Sequence, residues 1–259
     1  MKTIDDTKVE SCYNYPLVYK PKKLEEQTQI INDFFDLGSP VGLIIDATKK
    51  RLSRFLLPPN SEGIFVVPHW RAVSPSYNEA VQKVFSVLQN ERRFVNMQKN
   101  EEEKLILGCD PRTAKAFEIL SQQIWHKKPK AGSDNFPHIL IVPAQLGIRY
   151  RGWAPKKVLE ALKKNEFCLD VFTVSIILLT HPERFTDIKD LWIDCAGSKC
   201  SLFQNTTSQT YRNRLLIQEE QTPYFWFKDG KVYFSIGSSS NAAPIAGSAT
   251  GFTFSHVSI

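Results

Sequence analysis

His138-Ile139-Leu140-Ile141-Val142-Pro143-Ala144-Gln145-Leu146-Gly147-Ile148-Arg149-Tyr150-Arg151-Gly152-Trp153 is the run around which this chain organises itself. Its first five residues are a short apolar block with the length and β-branching of a strand buried on both faces. Ala154-Pro155 follows, with proline in the position favoured in a first helical turn, and predicts a helix to about Asn165. The same alternation of strand and helix extends upstream. Val41 to Ile45 and Gly63 to Pro68 read as buried strands, and Leu52 to Leu57 as a strand or a short helix. Between and after them lie helical patterns. Lys22 to Leu37 has an apolar stripe stopped by Gly38. Ser74-Pro75 opens a helix running toward Arg92. Asp110-Pro111 opens another through about Trp125.

Downstream the pattern changes. Residues 167–180 are continuously apolar and β-branched, so both a strand and a buried helix fit. Their length favours a core helix ended by His181-Pro182. Leu191 to Cys195 reads as a strand. Tyr224-Phe225-Trp226-Phe227 and Val232-Tyr233-Phe234 flank Lys228-Asp229-Gly230-Lys231, and Asp-Gly between two such runs predicts a hairpin with a type I′ turn. Gly237 to Gly251, rich in Gly, Ser and Ala, is expected to be a loop, with a last short strand from Gly251 to Phe254. The expected fold class is α/β or α+β: a layered domain with a mixed β-sheet flanked by helices and a C-terminal β-hairpin. Residues 1–259 are expected to form one large domain, with its weakest internal boundary in the loop 127–135.

With 42% apolar and 23% charged residues the chain is neither disordered, collagen-like nor a coiled coil. The start, Met1-Lys2-Thr3-Ile4-Asp5-Asp6, has no apolar signal region, and the most apolar stretch, Cys168 to Leu179, is too short to span a bilayer. Five scattered cysteines are expected to be free thiols in a reducing compartment, so the expected location is cytoplasmic, with no membrane partner. Asn205-Thr206-Thr207 then has no role as a glycosylation site.

The net charge of +6 is concentrated. Residues 111–164 carry eleven basic and three acidic side chains, and the rest of the chain is slightly acidic. A focused positive potential attracts phosphates, nucleic acid or an acidic protein, although lysines on helix faces are more often simply solvated. Within this stretch Arg149 and Arg151 are the leading ligand-binding candidates. If Ile148 to Arg151 is extended, both guanidiniums project to one side and would grip a phosphate or carboxylate. Gly152 would admit a close backbone or ligand, and Trp153 borders the same turn. The competing structural reading pairs these arginines with internal carboxylates such as Glu166 or Asp170.

Catalytic candidates are weaker. His181 would serve as a general base, and Asp194 with Cys195 closes a strand ahead of a glycine turn. Together they would make a nucleophilic set for a hydrolase or transferase, but no nucleophile-elbow, phosphate-loop or dinucleotide motif accompanies them. No histidine or cysteine spacing fits a metal site, and no cofactor is indicated. The function expected is therefore binding of an anionic ligand or acidic partner through Arg149 and Arg151, with nucleic acid admitted on charge alone. An enzyme drawing on His181, Asp194 or Cys195, and an interaction protein without a small-molecule site, are the alternatives.

Overall fold

Val171–Thr180 is a helix whose ten residues are all buried, and the other elements are arranged around it. A computed structural model describes residues 7–16, 19–37, 46, 48–50, 52–53, 55–98, 103–125, 138–204 and 220–256. The strand expected at Val41 to Ile45, the loop 127–135 and the triplet Asn205-Thr206-Thr207 lie outside these described residues.

In chain order the elements are helix α1 (Leu24–Phe34), strands β1 (Phe55–Leu56) and β2 (Gly63–Pro68), and helices α2 (Trp70–Val73) and α3 (Tyr77–Arg92). Strands β3 (Val95–Asn96) and β4 (Glu103–Cys109), helix α4 (Pro111–Trp125), strand β5 (Ile139–Arg151), helix α5 (Pro155–Ala161) and strand β6 (Glu166–Cys168) follow. Helix α6 (Val171–Thr180) ends in a 3-10 turn at Pro182–Arg184. The last strands are β7 (Trp192–Asp194), β8 (Ser198–Gln204), β9 (Gln221–Lys228), β10 (Lys231–Ser238), β11 (Ala246–Phe252) and β12 (Ser255–His256).

Eight strands form one mixed sheet in the order β2-β5-β11-β7-β9-β10-β3, with β6 pairing to β11 as well. β4 and β8 form a separate antiparallel pair, as do β1 and β12. This is the layered fold with a mixed sheet expected from the alternating patterns. The hairpin lies where the aromatic runs place it, with Lys231 opposite Lys228 and positive φ at Asp229 and Gly230, as a type I′ turn requires.

α6 packs between the sheet and helices α1 and α3. A helix buried on every side needs partners for the N–H groups of its first turn, because water cannot reach them. Three side chains supply them. Ser198 Oγ accepts from Val171 N at 2.8 Å, the Tyr77 hydroxyl from Phe172 N at 3.3 Å, and Asp170 Oδ1 from Thr173 N at 2.8 Å. That capping decides for helix over strand in a segment whose composition allows both. Around the helix, Phe85 of α3 packs against Phe94 and Phe234, each at 4.8 Å between ring centroids, joining the helical layer to the hairpin.

Several boundaries differ from expectation. Helix α3 is capped by Ser76, whose Oγ accepts from Glu79 N, because Ser74 instead closes the short helix α2 through its own N–H to Trp70 O. Helix α5 stops at Ala161, well before Asn165, and the chain re-enters the sheet as β6. The largest correction concerns residues 237–251. Rather than a loop, Ala246–Phe252 is the central strand β11, fully buried between β5 on one side and β7 and β6 on the other. Its small residues suit the crowding: a Cβ on Gly247 would collide with the Gly147 carbonyl oxygen.

Removing the caps of α6 should weaken the whole fold. Ser198→Ala and Asp170→Ala are expected each to lower unfolding free energy by about 1–2 kcal/mol, as for other caps and orphaned buried donors. Urea titration would measure this, and unchanged midpoints would show that the caps do not hold the helix.

Candidate functional site

Strand β5 does not keep a two-residue period through its last residues. Leu146 pairs with Ala249 and Arg151 with Gly247, so β5 carries extra residues opposite Ser248, and Gly147 takes a φ of 106° to accommodate them. Gln145 holds this bulge: its Oε1 accepts from Gly147 N at 2.8 Å and Arg149 N at 3.2 Å, while its Nε2 donates to Ser248 O and Thr250 Oγ1. The alternation that would aim Arg149 and Arg151 to one side is therefore broken within the stretch from Gly147 to Tyr150, between the paired residues Leu146 and Arg151.

The two arginines have different surroundings. Arg149 Nε lies 3.2 Å from Glu166 Oε1, and its guanidinium lies over the Tyr150 ring at 5.2 Å. Glu166 is buried, accepting from the Tyr150 hydroxyl at 3.0 Å and from Thr250 Oγ1 at 2.9 Å, with Arg149 supplying its counter-charge. Arg151 is exposed and forms no ion pair among the described residues. Gly152, with φ 74°, serves the close approach of the N-terminal arm: Val9 N donates to Gly152 O at 2.7 Å, and a Cβ there would collide with Val9 O. Trp153 is covered by Lys8, whose Nζ lies 5.2 Å from the ring centroid, and meets Tyr150 edge-on.

His181 is buried below α6. Its Nε2 accepts from Lys22 N at 2.9 Å, and its Nδ1 lies 2.8 Å from Thr180 Oγ1. Burial and then the nearby Lys22 charge push its pKa down to about 4. Cys195 is wholly buried, and desolvation drives its thiol pKa far up, away from a nucleophilic thiolate. Asp194 is different. Its carboxyl forms no hydrogen bond or ion pair within the described residues, and it borders a pocket of about 200 Å³. Burial alone raises its pKa from 3.8 to about 7. The neighbours that engage His181 are thus Lys22 and Thr180, rather than Asp194 or Cys195. Among the described residues no group of three or more His, Cys, Asp or Glu side chains is arranged to hold a metal ion.

Sequence reasoning passed over two features. Arg184 is fully buried, donating from Nη2 to Leu146 O and Leu191 O, each at 2.9 Å, with its guanidinium 4.4 Å from the Tyr15 ring. It ties the N-terminal arm to β5 and the approach to β7. The second is a cleft of about 650 Å³ between α4 and the segment from α5 to β6. Ala116, Ile119, Leu162 and Phe167 give it an apolar lining, and Arg112, Lys115, Lys163 and Lys164 edge it. Lys115 pairs with Glu118 at 3.0 Å, and Arg112 Nη1 donates to Leu159 O at 3.3 Å. Lys163 and Lys164 are exposed and unpaired among the described residues. The signal for this cleft was the basic excess of residues 111–164, whose members are far apart in sequence and meet only when α4 packs near β6.

Alanine at the two arginines should separate their roles. Arg149→Ala strands the buried Glu166 carboxylate and is expected to cost about 2–4 kcal/mol of stability, whereas Arg151→Ala should leave the melting temperature nearly unchanged. Equal effects would remove the distinction. Asp194 gives a pH signature. Because its folded pKa lies above its unfolded value, the stability linked to its bound proton is fully present below about pH 4 and lost as pH rises through about 7. Asp194→Asn should accordingly raise the melting temperature near pH 8, by up to about 4 kcal/mol in stability, and much less near pH 5. A gain independent of pH would show that this carboxyl does not titrate there.

Compared with protein-family models, curated proteins and solved structures, the chain matches none of them, so its site stands on its own geometry.

Proposed function

We propose that this protein binds a compact anionic ligand in the cleft between α4 and the α5–β6 segment, with Arg112, Lys115, Lys163 and Lys164 supplying the charge. The observation that carries this reading is the meeting of four cations from two sequence-distant segments around one apolar-floored cleft, three of them without a counter-ion among the described residues. A concave site with an apolar lining and a few convergent charges is the usual form of a small-molecule pocket. A volume of about 650 Å³ is in the range that holds one such ligand.

Arg149 and Arg151 enter this reading differently from the sequence expectation. Glu166 borders the same cleft, and Arg149 beside it offsets a carboxylate that would otherwise repel an anion. Arg149 therefore acts by neutralising the cleft wall. Arg151, exposed and not among the cleft's lining residues, adds to the surrounding positive field. A ligand with charge at one end and apolar surface at the other fits this lining better than a bare ion, because Ile119, Leu162 and Phe167 gain from covering it.

Calorimetry with inorganic pyrophosphate, an adenine nucleotide and a short oligothymidylate tests the proposal. At least one is expected to bind saturably, with affinity falling as salt rises. Lys163→Glu combined with Lys164→Glu should weaken it about tenfold or more while leaving the melting temperature of the free protein nearly unchanged. Equal binding by the charge-reversed and parent proteins would place the anion elsewhere.

A further inference from the structure

The sheet has two unlike faces. One carries Phe225, Ile193 and Phe234 into the main core beside α6. Strand register puts Asp194 level with Tyr224 of β9 and with Ser248 of β11, and Tyr233 level with Trp226, all on the opposite face. There the rings form a row. Trp192 stacks on Tyr224 at 5.4 Å with 6° between planes, lies 5.2 Å from Trp226, and Trp226 in turn lies 4.5 Å from Tyr233. These four side chains are only half buried, so the row has no complete cover.

At one end of this row is the pocket bordered by Asp194. Trp192, Tyr224, Thr222 and Asn241 help to line it, with Pro155 at the start of α5. Asp194 is 6% exposed, and neither of its carboxyl oxygens has a hydrogen-bond partner among the described residues. Ser248, level with it in the neighbouring strand, is completely buried, and its hydroxyl likewise has no partner among the described residues. Among the described residues no lysine or arginine lines the pocket. Lys156, next to Pro155, has its Nζ 3.2 Å from Glu220, so that charge is already engaged. A carboxyl so little exposed to water, with no cation or donor beside it among the described residues, is costly, and proteins ordinarily leave few such groups unsatisfied.

We infer that this pocket receives an alkylammonium group, its charge paired with the Asp194 carboxylate and its methylenes or N-methyl groups lying against Trp192 and Tyr224. The chemistry is complementary. A carboxylate supplies the counter-charge, and aromatic faces attract ammonium ions through their quadrupole. An anion would meet the Asp194 carboxylate there with no cation among the described lining residues to offset it. A neutral sugar or alcohol would satisfy the carboxyl oxygens but leave the charge unpaired. The size agrees too: about 200 Å³ is below the range of drug-sized sites and suits a head group with a short stem. The ammonium can come from a free small amine or from a lysine side chain on a peptide, and both present the same head. This inference is independent of the anion cleft, with which the pocket shares no lining residue.

The test uses the whole chain at about pH 8, where the carboxyl is ionised. Butylamine, butyltrimethylammonium, Nα-acetyl-lysine amide and the neutral alcohol 1-pentanol are titrated while indole and tyrosine resonances are followed by NMR. At least one ammonium probe should saturate below about 10 mM and shift the Trp192 and Tyr224 signals, with 1-pentanol about tenfold weaker or absent. Asp194→Asn, checked for folding by its melting temperature, should lose about tenfold or more in ammonium affinity. Tighter binding of the lysine derivative than of butylamine assigns the pocket to a peptide side chain; equal or weaker binding assigns it to a free amine. The inference is overturned if 1-pentanol binds as tightly as the amines, if no ammonium probe saturates, or if a folded Asp194→Asn protein binds them unchanged. The comparison of amine with alcohol is made on the unaltered chain, so it does not depend on the variant folding.

Discussion

The three hydrogen bonds that close the N-terminus of α6 govern the architecture. An all-apolar decapeptide can enter a core as a helix only if its backbone ends are satisfied there. Asp170 comes from the residue before the helix, Ser198 from the start of β8, and Tyr77 from the start of α3. Each belongs to a different part of the chain, so forming α6 in place also fixes where those parts meet. The hydrophobic effect drives the burial, since each large aliphatic side chain removed from water contributes about 1.5–3 kcal/mol before its entropy cost is subtracted. The caps select the single arrangement in which that burial leaves no helix N–H without a partner.

Much of this was legible in the sequence where a short-range rule acts. Asp229-Gly230 between aromatic runs specifies its turn by backbone geometry alone, and Asp110-Pro111 specifies a helix start, with Asp110 Oδ1 accepting from Arg112 N at 2.9 Å. Strand β2 matches its apolar run residue for residue. What escaped the sequence is what neighbours impose. Ala246-Gly247-Ser248-Ala249-Thr250-Gly251-Phe252 has the composition of a loop, and it is a strand because partners on both sides satisfy its backbone and leave no space for larger side chains. Ser74-Pro75 resembles a cap, but the preceding short helix already uses Ser74.

The candidate site was legible in charge and illegible in geometry. The basic excess of residues 111–164 covers the segments that line the proposed cleft, yet the most conspicuous pair within it behaves unequally. Arg149 is half of a buried network with Glu166, Tyr150 and Thr250, whereas Arg151 faces solvent. A bulge at Gly147 causes the difference, and it depends on Gln145 reaching two backbone N–H groups. Asp194 was visible as a residue at a strand end, but its lack of a hydrogen-bonding or cationic partner among the described residues depends on which face of the sheet it occupies. That face was fixed by pairing with β9 and β11, which lie far along the chain.

The position of β11 in the sheet has a kinetic side. Thr250 pairs with Gln145 across more than one hundred intervening residues, and the strand separates β2 and β5 from β7, β9 and β10. β9 and β10 form a local hairpin, whereas β2 meets β5 only far along the chain, with Pro68 opposite Ile139, and among the described residues the ladder joining the two flanks runs through this small-residue strand. The entropy of closing so long a loop is spent before the central contacts return anything, which places the fold among slowly assembling, non-local topologies. Until that moment both inner edges present unpaired N–H and C=O groups, so the halves are vulnerable to pairing with the wrong chain for as long as the keystone strand is absent.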